Sequence, residues 1–109
     1  MNMGEIYLVE FPITDTHEQS GNRPSVIVID FPELPIVHIA PLTTSEKTKI
    51  YNHTVIIEPD EENHLDKISI ILLFQLRAID RRRLKKRIGN LKLKDLERLK
   101  QALREMYNL

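Results

Sequence analysis

The run Ser25-Val26-Ile27-Val28-Ile29 constrains the fold of this chain more than any other segment. β-Branched side chains favour strands, and a run with almost no polar residue is typical of a strand buried on both faces. Such a strand needs partners along its edges and packed side chains above and below it. We therefore predict that this run lies near the centre of a β-sheet that the rest of the chain completes.

The remaining chain supplies further strand patterns and ends in a helical one. The other strands are predicted over residues 4–11, 36–40, 53–58 and 68–79, the last as one long strand or two separated by a kink. Asp80 is a plausible N-cap for a short basic helix over Arg81–Lys86, which Gly89-Asn90 would end. Apolar residues then recur at steps of three and four, the spacing of an amphipathic helix: Leu93, Leu96, Leu99, Leu103 and Met106. The predicted fold class is mainly β with a C-terminal helix (α+β), as a small, strongly bent antiparallel sheet or partly open barrel.

Composition limits the classes of protein that fit. At 109 residues the chain is expected to form a single domain over 1–109. It contains no cysteine, which excludes disulfides and thiolate chemistry. No segment approaches the roughly 20 apolar residues of a membrane span, and the first residues lack the pattern of a secretory signal. We therefore expect a cytoplasmic protein without membrane association.

A net charge of zero conceals a strong sorting of charge along the chain. Residues 1–66 carry twelve acidic and three basic side chains, whereas residues 67–109 carry thirteen basic and four acidic ones, so the two parts have charges of −9 and +9. The basic excess is densest over Arg77–Arg87. This segment is either a solvated basic face or a patch that attracts the phosphates of a nucleic acid.

The polar segment from His17 to Pro24 holds the densest group of side chains that could do chemistry. His17 and Glu18 can exchange protons, and Arg23 can hold or protonate a phosphate oxygen. A second candidate is the hydroxyl-rich stretch Thr43-Thr44-Ser45, predicted as a loop, which could bind an anion or be ordinary turn chemistry.

Other reaction classes have weaker support. The histidines His17, His38, His53 and His64 are scattered without the spacing of a metal site. Each is better interpreted as a surface or strand histidine. No serine occupies a strand-to-helix elbow with flanking glycines, and no glycine-rich phosphate loop is present. Any catalysis is therefore expected to be metal-free proton transfer on a charged substrate, with arginine as the electrostatic partner.

Several segments occur in an order and at a spacing that can be compared with a known family. They are Gly4-Glu5-Ile6-Tyr7-Leu8-Val9, Glu18-Gln19-Ser20-Gly21-Asn22-Arg23-Pro24, Pro41-Leu42-Thr43, Ser69 and Gln75-Leu76-Arg77-Ala78-Ile79-Asp80. Together they resemble the MazF/PemK family of toxins from toxin–antitoxin pairs, and the match spans almost the whole chain. The resemblance implies an SH3-like β-barrel with a C-terminal helix, a homodimer, and an endoribonuclease that cuts single-stranded RNA, especially mRNA, at short sequences without a metal or other cofactor.

The resemblance also assigns roles by position. Arg23 matches the family's catalytic arginine, and Thr43 matches the threonine that stabilises the scissile phosphate. In the implied reaction the substrate's own 2′-hydroxyl attacks the adjacent phosphorus, leaving a 2′,3′-cyclic phosphate and a 5′-hydroxyl. The predicted catalytic residues are Arg23, Thr43, Glu18 and His17. The predicted RNA-binding residues are Gln19, Ser20, Thr44, Ser45, Ser69, Gln75 and Arg77.

The chain departs from the family pattern at the position of a candidate base. Many relatives carry Asp or Glu just before the glutamine that is Gln75 here, whereas this chain has Phe74. Proton abstraction would then fall to Arg23, Glu18 or His17. An alternative from a different class is a catalytically weak or inactive binding protein of the same fold, such as a CcdB-like gyrase inhibitor. However, those proteins depend on a C-terminal tail with tryptophan, and this chain contains none.

The resemblance also predicts partners. They are single-stranded RNA as the substrate, a cognate antitoxin that blocks the RNA groove, a second copy of the chain, and operator DNA only as a toxin–antitoxin complex. In the dimer, the His17–Pro24 segment and the Thr43 loop are expected to border a groove shared by both subunits. Pairing of two copies would also bury part of the continuous apolar runs.

Overall fold

The computed structural model describes residues 1–11 and 21–109. The strands are β1 (Glu5–Phe11), β2 (Gly21–Asp30), β3 (Ile36–Thr43), β4 (Thr54–Ile57), β5 (Ser69–Leu72), β6 (Arg77–Asp80) and β7 (Leu84–Asn90). One α-helix follows, α1 (Leu93–Tyr107). Short 3-10 helices span Glu46–Ile50, Leu73–Gln75 and Arg81–Arg83. The predicted class, mainly β with a C-terminal helix, is confirmed.

The sheet is antiparallel throughout and is organised as predicted around the β-branched run. Its strand order is β4-β5-β3-β2-β1-β7, with β6 paired to β3 beside this path. Among the described strands β4 and β7 do not pair with each other, so the sheet bends without closing into a complete barrel. β2 lies between β1 and β3, and Val26, Ile27 and Val28 are all buried. The prediction of a central strand buried on both faces is confirmed.

Two apolar clusters lie on the two faces of this central strand. One contains Val26 and Val28 and extends to Leu99 of α1, so the helix covers that face. The other contains Ile27 and is completed by side chains of β1, β3 and β6, such as Val9, Ile39 and Ile79. The alternation of side chains along β2 therefore divides the core in two, as the strand period of two requires.

β3 has one partner on its first edge and two on its second. Its first edge pairs with β2, from Ser25 opposite Pro41 to Asp30 opposite Val37. Its second edge pairs with β5 near Thr43 and with β6 along residues 36–39. The 3-10 helix Leu73–Gln75 makes the step from one partner to the other. The segment 68–79 thus forms two strands, which is one of the two arrangements that the sequence predicts.

Several predicted boundaries are wrong. β2 begins at Gly21 rather than Ser25, because Phe11, the last residue of β1, pairs with Gly21 and extends the ladder through the polar residues. Gly21 has φ of 78°, a left-handed conformation that costs glycine little. Thr43 lies in β3, opposite Ile70 of β5, and not in a loop.

The predicted basic helix over Arg81–Lys86 is also wrong beyond its first turn. Asp80 does cap that turn, because its carboxylate accepts a hydrogen bond from the Arg82 backbone N–H at 2.8 Å. From Leu84 onward the chain instead forms β7 along the second edge of β1. If residues 84–90 continued the helix, the second edge of β1 would have no partner strand. Pairing in the sheet therefore overrides the local preference for a helix. Gly89 lies inside this strand rather than ending a helix.

The helix α1 forms as predicted, with four of the five predicted apolar residues packed in the core and Leu93, in the first turn, exposed. Leu99 is fully buried, and Leu96, Leu103 and Met106 pack against the first apolar cluster. Its N-terminus has no side-chain cap, as the lysine at position 92 suggests. Across the described part of the chain, no helix is long and apolar enough to cross a membrane.

Candidate active site

Arg23 and Thr43 lie at the same end of the two central strands. Each is two residues beyond the Ser25–Pro41 pair with which the β2–β3 ladder ends. Strand alternation therefore puts both side chains on one face of the sheet, the face that Ile39 shares. Arg23 is exposed and lies opposite Val9 of β1, whereas Thr43 is 9% exposed. The structure thus brings together the two residues that the sequence predicts as the core of the site.

The hydroxyl group of Thr43 is held in a defined position. Its oxygen accepts a hydrogen bond from the backbone N–H of Ser45 at 3.2 Å. A hydroxyl that accepts one bond keeps its own proton to donate. Thr43 can therefore donate a hydrogen bond to an anionic oxygen placed at the end of β3, beside the exposed guanidinium of Arg23.

Arg77 adds a second guanidinium to the same face. It lies opposite Ile39 in the β3–β6 ladder, and its guanidinium carbon is 5.3 Å from the ring centre of Phe11 at the end of β1. This cation–π contact stabilises the arginine without neutralising its charge. Sequence analysis does not predict a role for Phe11, although the alternation of β1 places its ring on this face.

Gln75 and Arg77 line an open depression of about 450 Å³. The other lining residues are Phe74, Leu76 and Ala78. The predicted RNA-binding residues of this segment therefore share one surface cavity. The ring of Phe74 is 43% exposed and meets Tyr51, itself 53% exposed, edge to face at 5.5 Å. A phenyl ring cannot accept a proton, so Phe74 cannot serve as a base.

Thr44 and Ser69 lie in a different depression, of about 330 Å³. Its lining also includes Pro24, which follows Arg23, so this depression borders the Arg23–Thr43 pair from the other side. The Ser69 hydroxyl donates to the Lys67 carbonyl at 3.0 Å and is buried. Ser45 lines neither depression and immediately precedes the 3-10 helix Glu46–Ile50.

Two nitrogen-bearing side chains of this second depression are absent from the predicted site. They are His64 and Lys67. The sequence favours a surface or strand position for His64, and the residue is exposed. The signal that could identify both residues is their position between the acidic turn and Ser69, a predicted RNA-binding residue.

The predicted residues His17, Glu18, Gln19 and Ser20 lie outside the described residues. The predictions made for them therefore remain predictions. Within residues 1–11 and 21–109, no three His, Cys, Asp or Glu side chains come together as a metal-binding group.

The basic segment is largely matched by acidic side chains that come from the opposite part of the sequence. The Arg81 guanidinium is 2.7 Å from a carboxylate oxygen of Asp30, and the Arg87 guanidinium is 2.9 Å from that of Glu5. Arg83 approaches Glu10 at 3.8 Å. The −9 and +9 parts of the chain thus pair within the fold, which favours a structural role for most of this arginine cluster.

These contacts shift the pKa values of the carboxyl groups. Hydrogen bonds from the Arg82 side chain and backbone lower the pKa of Asp80 to about 2. A hydrogen bond from Arg81 lowers the pKa of Asp30. A backbone hydrogen bond from Asn2, with Arg87 adding to it, lowers the pKa of Glu5. All three groups are therefore ionised at neutral pH.

Comparison with protein families gives one match over nearly the whole chain. Residues 2–107 match the family model described as the PemK-like, MazF-like toxin of type II toxin–antitoxin systems. An Endoribonuclease MazF of Staphylococcus saprophyticus is 34% identical over 108 residues, which cover 94% of this chain and 88% of that protein. Another from Staphylococcus epidermidis is 36% identical over 90 residues, covering 78% of this chain and 72% of that protein.

Solved structures share the fold at lower identity. MazF from Deinococcus radiodurans superposes with a TM-score of 0.79 at 20% identity, covering 100% of this chain and 97% of that one. An endoribonuclease in complex with its cognate antitoxin, from a mycobacterial species, gives a TM-score of 0.74 at 16% identity, covering 98% and 92%. At these identities the likeness concerns the fold alone.

Proposed function

This chain belongs to the family of PemK-like, MazF-like toxins of type II toxin–antitoxin systems, and we propose that it is an endoribonuclease. Its proposed substrate is single-stranded RNA, above all mRNA, which it cleaves at short sequences without a metal ion. The observation that carries this proposal is the placement of Arg23 and Thr43 at the same end of the central strands and on one face. A cation and a hydroxyl donor held there fit a phosphodiester whose charge grows during the reaction.

The proposed reaction takes its nucleophile from the substrate. The 2′-oxygen of the ribose attacks the adjacent phosphorus and loses its proton, and the bond from phosphorus to the 5′-oxygen breaks. The departing 5′-oxygen gains a proton. The products are a 2′,3′-cyclic phosphate and a 5′-hydroxyl, so no water is consumed and no metal-bound hydroxide is required.

Arg23 and Thr43 would act on the charge that develops at phosphorus. The guanidinium of Arg23 offers parallel donors to two phosphate oxygens, which stabilises the pentacoordinate state more than the starting diester. The Thr43 hydroxyl, oriented by the Ser45 N–H, donates to a non-bridging oxygen. Both groups belong to strands rather than to a flexible loop, so little reorganisation accompanies the reaction.

The base that accepts the 2′-hydroxyl proton is proposed to come from residues other than Phe74. His17 and Glu18, on the segment just before β2, are the predicted candidates, with Arg23 as a third. RNA binding is proposed to use Gln75 and Arg77 on one side of the Arg23–Thr43 pair. Further predicted contacts are Gln19, Ser20, Thr44, Ser45 and Ser69.

Three partners complete the proposal. A cognate antitoxin is supported by the family description and by a structural neighbour that is an endoribonuclease in complex with its cognate antitoxin. A homodimer would cover exposed apolar side chains of the described surface, such as Ile50, Tyr51 and Phe74. Operator DNA is proposed to bind only the toxin–antitoxin complex.

Incubation of the purified protein with a long RNA in EDTA tests the activity directly. Wild type should cleave, and Arg23→Ala should lower the rate by about 10²- to 10³-fold, as expected for loss of one donor to a developing oxyanion. Arg104→Ala, which removes an exposed arginine in the last turn of α1, is the matched control and should cleave normally. Equal cleavage by Arg23→Ala, or strict dependence on magnesium, would contradict the proposal. End-group analysis should find the cyclic phosphate.

A further inference from the structure

The depression that contains Thr44 and Ser69 is large enough for a small ligand and has both polar and apolar walls. Its volume is about 330 Å³, at the lower end of the range for small-molecule sites. Its polar lining consists of two nitrogen-bearing side chains, His64 and Lys67, one carboxylate, Asp66, and the hydroxyl-bearing residues Thr44 and Ser69. The remaining lining is apolar: Pro24, Leu65 and Ile88.

The turn that carries His64 is unusually well fixed. The Asn63 side chain is fully buried. Its oxygen accepts from the backbone N–H groups of Asp60 and Leu65, both at 3.0 Å, and its amide donates to the Glu58 carbonyl at 2.8 Å. Buried hydrogen bonds of this kind hold the backbone in one conformation.

β7 closes this turn from the other side. The Asn90 backbone N–H donates to the Glu62 carbonyl at 3.0 Å. A Cβ atom at Gly89 would overlap that carbonyl and lie 2.8 Å from the Asn63 carbonyl oxygen, so the two segments are in direct backbone contact. His64 is held at a φ of 55°, a conformation that costs a residue with a Cβ atom energy and that the surrounding contacts must impose.

The nitrogen-bearing side chains of this depression differ from the arginines of the basic segment. Arg81, Arg83 and Arg87 each form an ion pair with an acidic residue. Neither Lys67 nor His64 forms an ion pair with any residue in 1–11 or 21–109. The positive charge of Lys67 is therefore available to an anion without breaking an existing contact.

The position of the depression relates it to the cleavage site. Pro24 follows Arg23 and Thr44 follows Thr43, so each residue of the catalytic pair has its chain neighbour in this lining. Side chains alternate along a strand, so Pro24 points to the face opposite Arg23. An RNA strand that crosses the ends of β2 and β3 at Arg23 and Thr43 can continue over this end of the two strands into the depression.

We propose that this depression is the subsite for the nucleotide next to the cleaved bond, with Lys67 and His64 contacting its phosphate. The apolar wall of Pro24, Leu65 and Ile88 contacts the base or ribose, and the Asp66 carboxylate can accept a hydrogen bond from a ribose hydroxyl. This subsite rests on the proposed endoribonuclease function and names residues of the same RNA path. Lys67 and His64 are binding residues here and take no part in bond breaking.

A binding measurement at several salt concentrations tests the subsite. The probe is a short fluorescent single-stranded RNA that spans a cleavage site mapped with wild type and carries 2′-deoxyribose at the cleaved nucleotide, which removes the nucleophile. Loss of one phosphate contact to single-stranded RNA reduces the salt slope of log K by about 0.7. When the salt is raised from 50 to 200 mM, both proteins should lose affinity for the RNA. The fold-loss for Lys67→Gln should be roughly 2.5 times smaller than the fold-loss for wild type.

Two further variants complete the experiment. His64→Asn retains a residue that tolerates the left-handed conformation while removing the imidazole, and it should weaken binding at low salt. Lys94→Gln removes an exposed lysine of α1 outside the depression and should keep the wild-type slope. In cleavage assays Lys67→Gln should raise KM with kcat nearly unchanged, whereas Arg23→Ala should lower kcat.

The results separate the subsite from the proposed function. If wild type cleaves RNA and Arg23→Ala does not, but Lys67→Gln and His64→Asn bind with the wild-type slope and affinity, the subsite is wrong and the function stands. If the salt slope of log K for Lys67→Gln equals that for Lys94→Gln, the subsite proposal is likewise wrong. If wild type cleaves no RNA, the proposed function fails and the subsite fails with it.

Discussion

Replacement of Asn63 by alanine should be among the most destabilising single changes outside the two apolar clusters. Asn63→Ala removes three hydrogen bonds and leaves the N–H groups of Asp60 and Leu65 and the carbonyl of Glu58 without their partner. With about 0.5–1.5 kcal/mol of net stabilisation for each bond, the loss should be about 2–4 kcal/mol. Because the side chain is fully buried, water cannot replace these contacts without opening the turn.

Urea unfolding followed by far-UV circular dichroism measures this loss, since the chain has no tryptophan to report by fluorescence. With a slope of about 2 kcal/mol per molar urea, the midpoint should fall by about 1–2 M. All variants must be compared at one protein concentration, because a dimer's stability depends on it. Asn52→Ala, at an exposed asparagine before β4, is the control and should change the midpoint little. A loss below about 1 kcal/mol for Asn63→Ala, or one equal to the control, would refute the reasoning.

Three other substitutions probe the site, the electrostatics and the core. Thr43→Val keeps the shape of the side chain but removes the hydroxyl, so RNA cleavage should slow by about 10- to 100-fold. The free energy of unfolding should fall by about 1 kcal/mol, because the hydrogen bond from the Ser45 backbone N–H is lost. An unchanged cleavage rate would exclude Thr43 from catalysis. Asp80 has a folded pKa of about 2, below its ordinary 3.8, so its stabilisation is present above pH 4 and is lost as the pH falls towards 2. Asp80→Asn should flatten the acid limb of a stability–pH curve in that window, and an identical limb would show that the Arg82 contact does not persist in solution. Leu99→Ala, at a fully buried position of α1, should cost about 2–5 kcal/mol in urea unfolding, and a smaller loss would mean that the helix does not seal the first cluster.

The parts of the fold that sequence reasoning predicts correctly are those with a strong local period. The β-branched run of β2 and the three- and four-residue spacing of α1 both identify elements whose burial the structure confirms. In each case the local preference and the tertiary environment agree, so the pattern alone is sufficient.

The errors share one physical cause, which is pairing with a distant strand. Residues 21–24 are polar and contain a proline, yet they extend β2 because β1 offers its edge to them. Arg81–Lys86 has the composition of a helix, yet β7 forms because β1 has a second edge to satisfy. Neither partner can be identified from the local sequence, since a ladder depends on which residues the rest of the fold brings alongside.

The candidate site is predictable to a similar extent. Family motifs predict Arg23 and Thr43 as site residues, and strand register explains why they lie at the same end of the sheet, because each is two residues beyond the same ladder pair. His64 and Lys67 escape prediction because their relation to Pro24 and Thr44 depends on the fixed turn before β5 and on its contact with β7. The spacing of residues in the sequence does not indicate that the turn and β7 are in contact.

The arrangement of partners around β3 has a consequence for how the site responds to change. One end of this strand carries Thr43 and pairs with β5, while its middle carries Ile39 and pairs with Arg77 of β6. A close-packed interior transmits strain, so a displacement of β3 reaches the residues that its ladders hold. A substitution that shifts β3 should therefore move the Thr43 hydroxyl and the Arg77 guanidinium together, whereas replacement of the exposed His64 or Lys67 side chain alone leaves the β3 ladders intact. Loss of catalysis and loss of the nucleotide contact are thus expected to separate in such side-chain variants, because Thr43 and Arg77 belong to the ladders of β3 and the two exposed side chains do not.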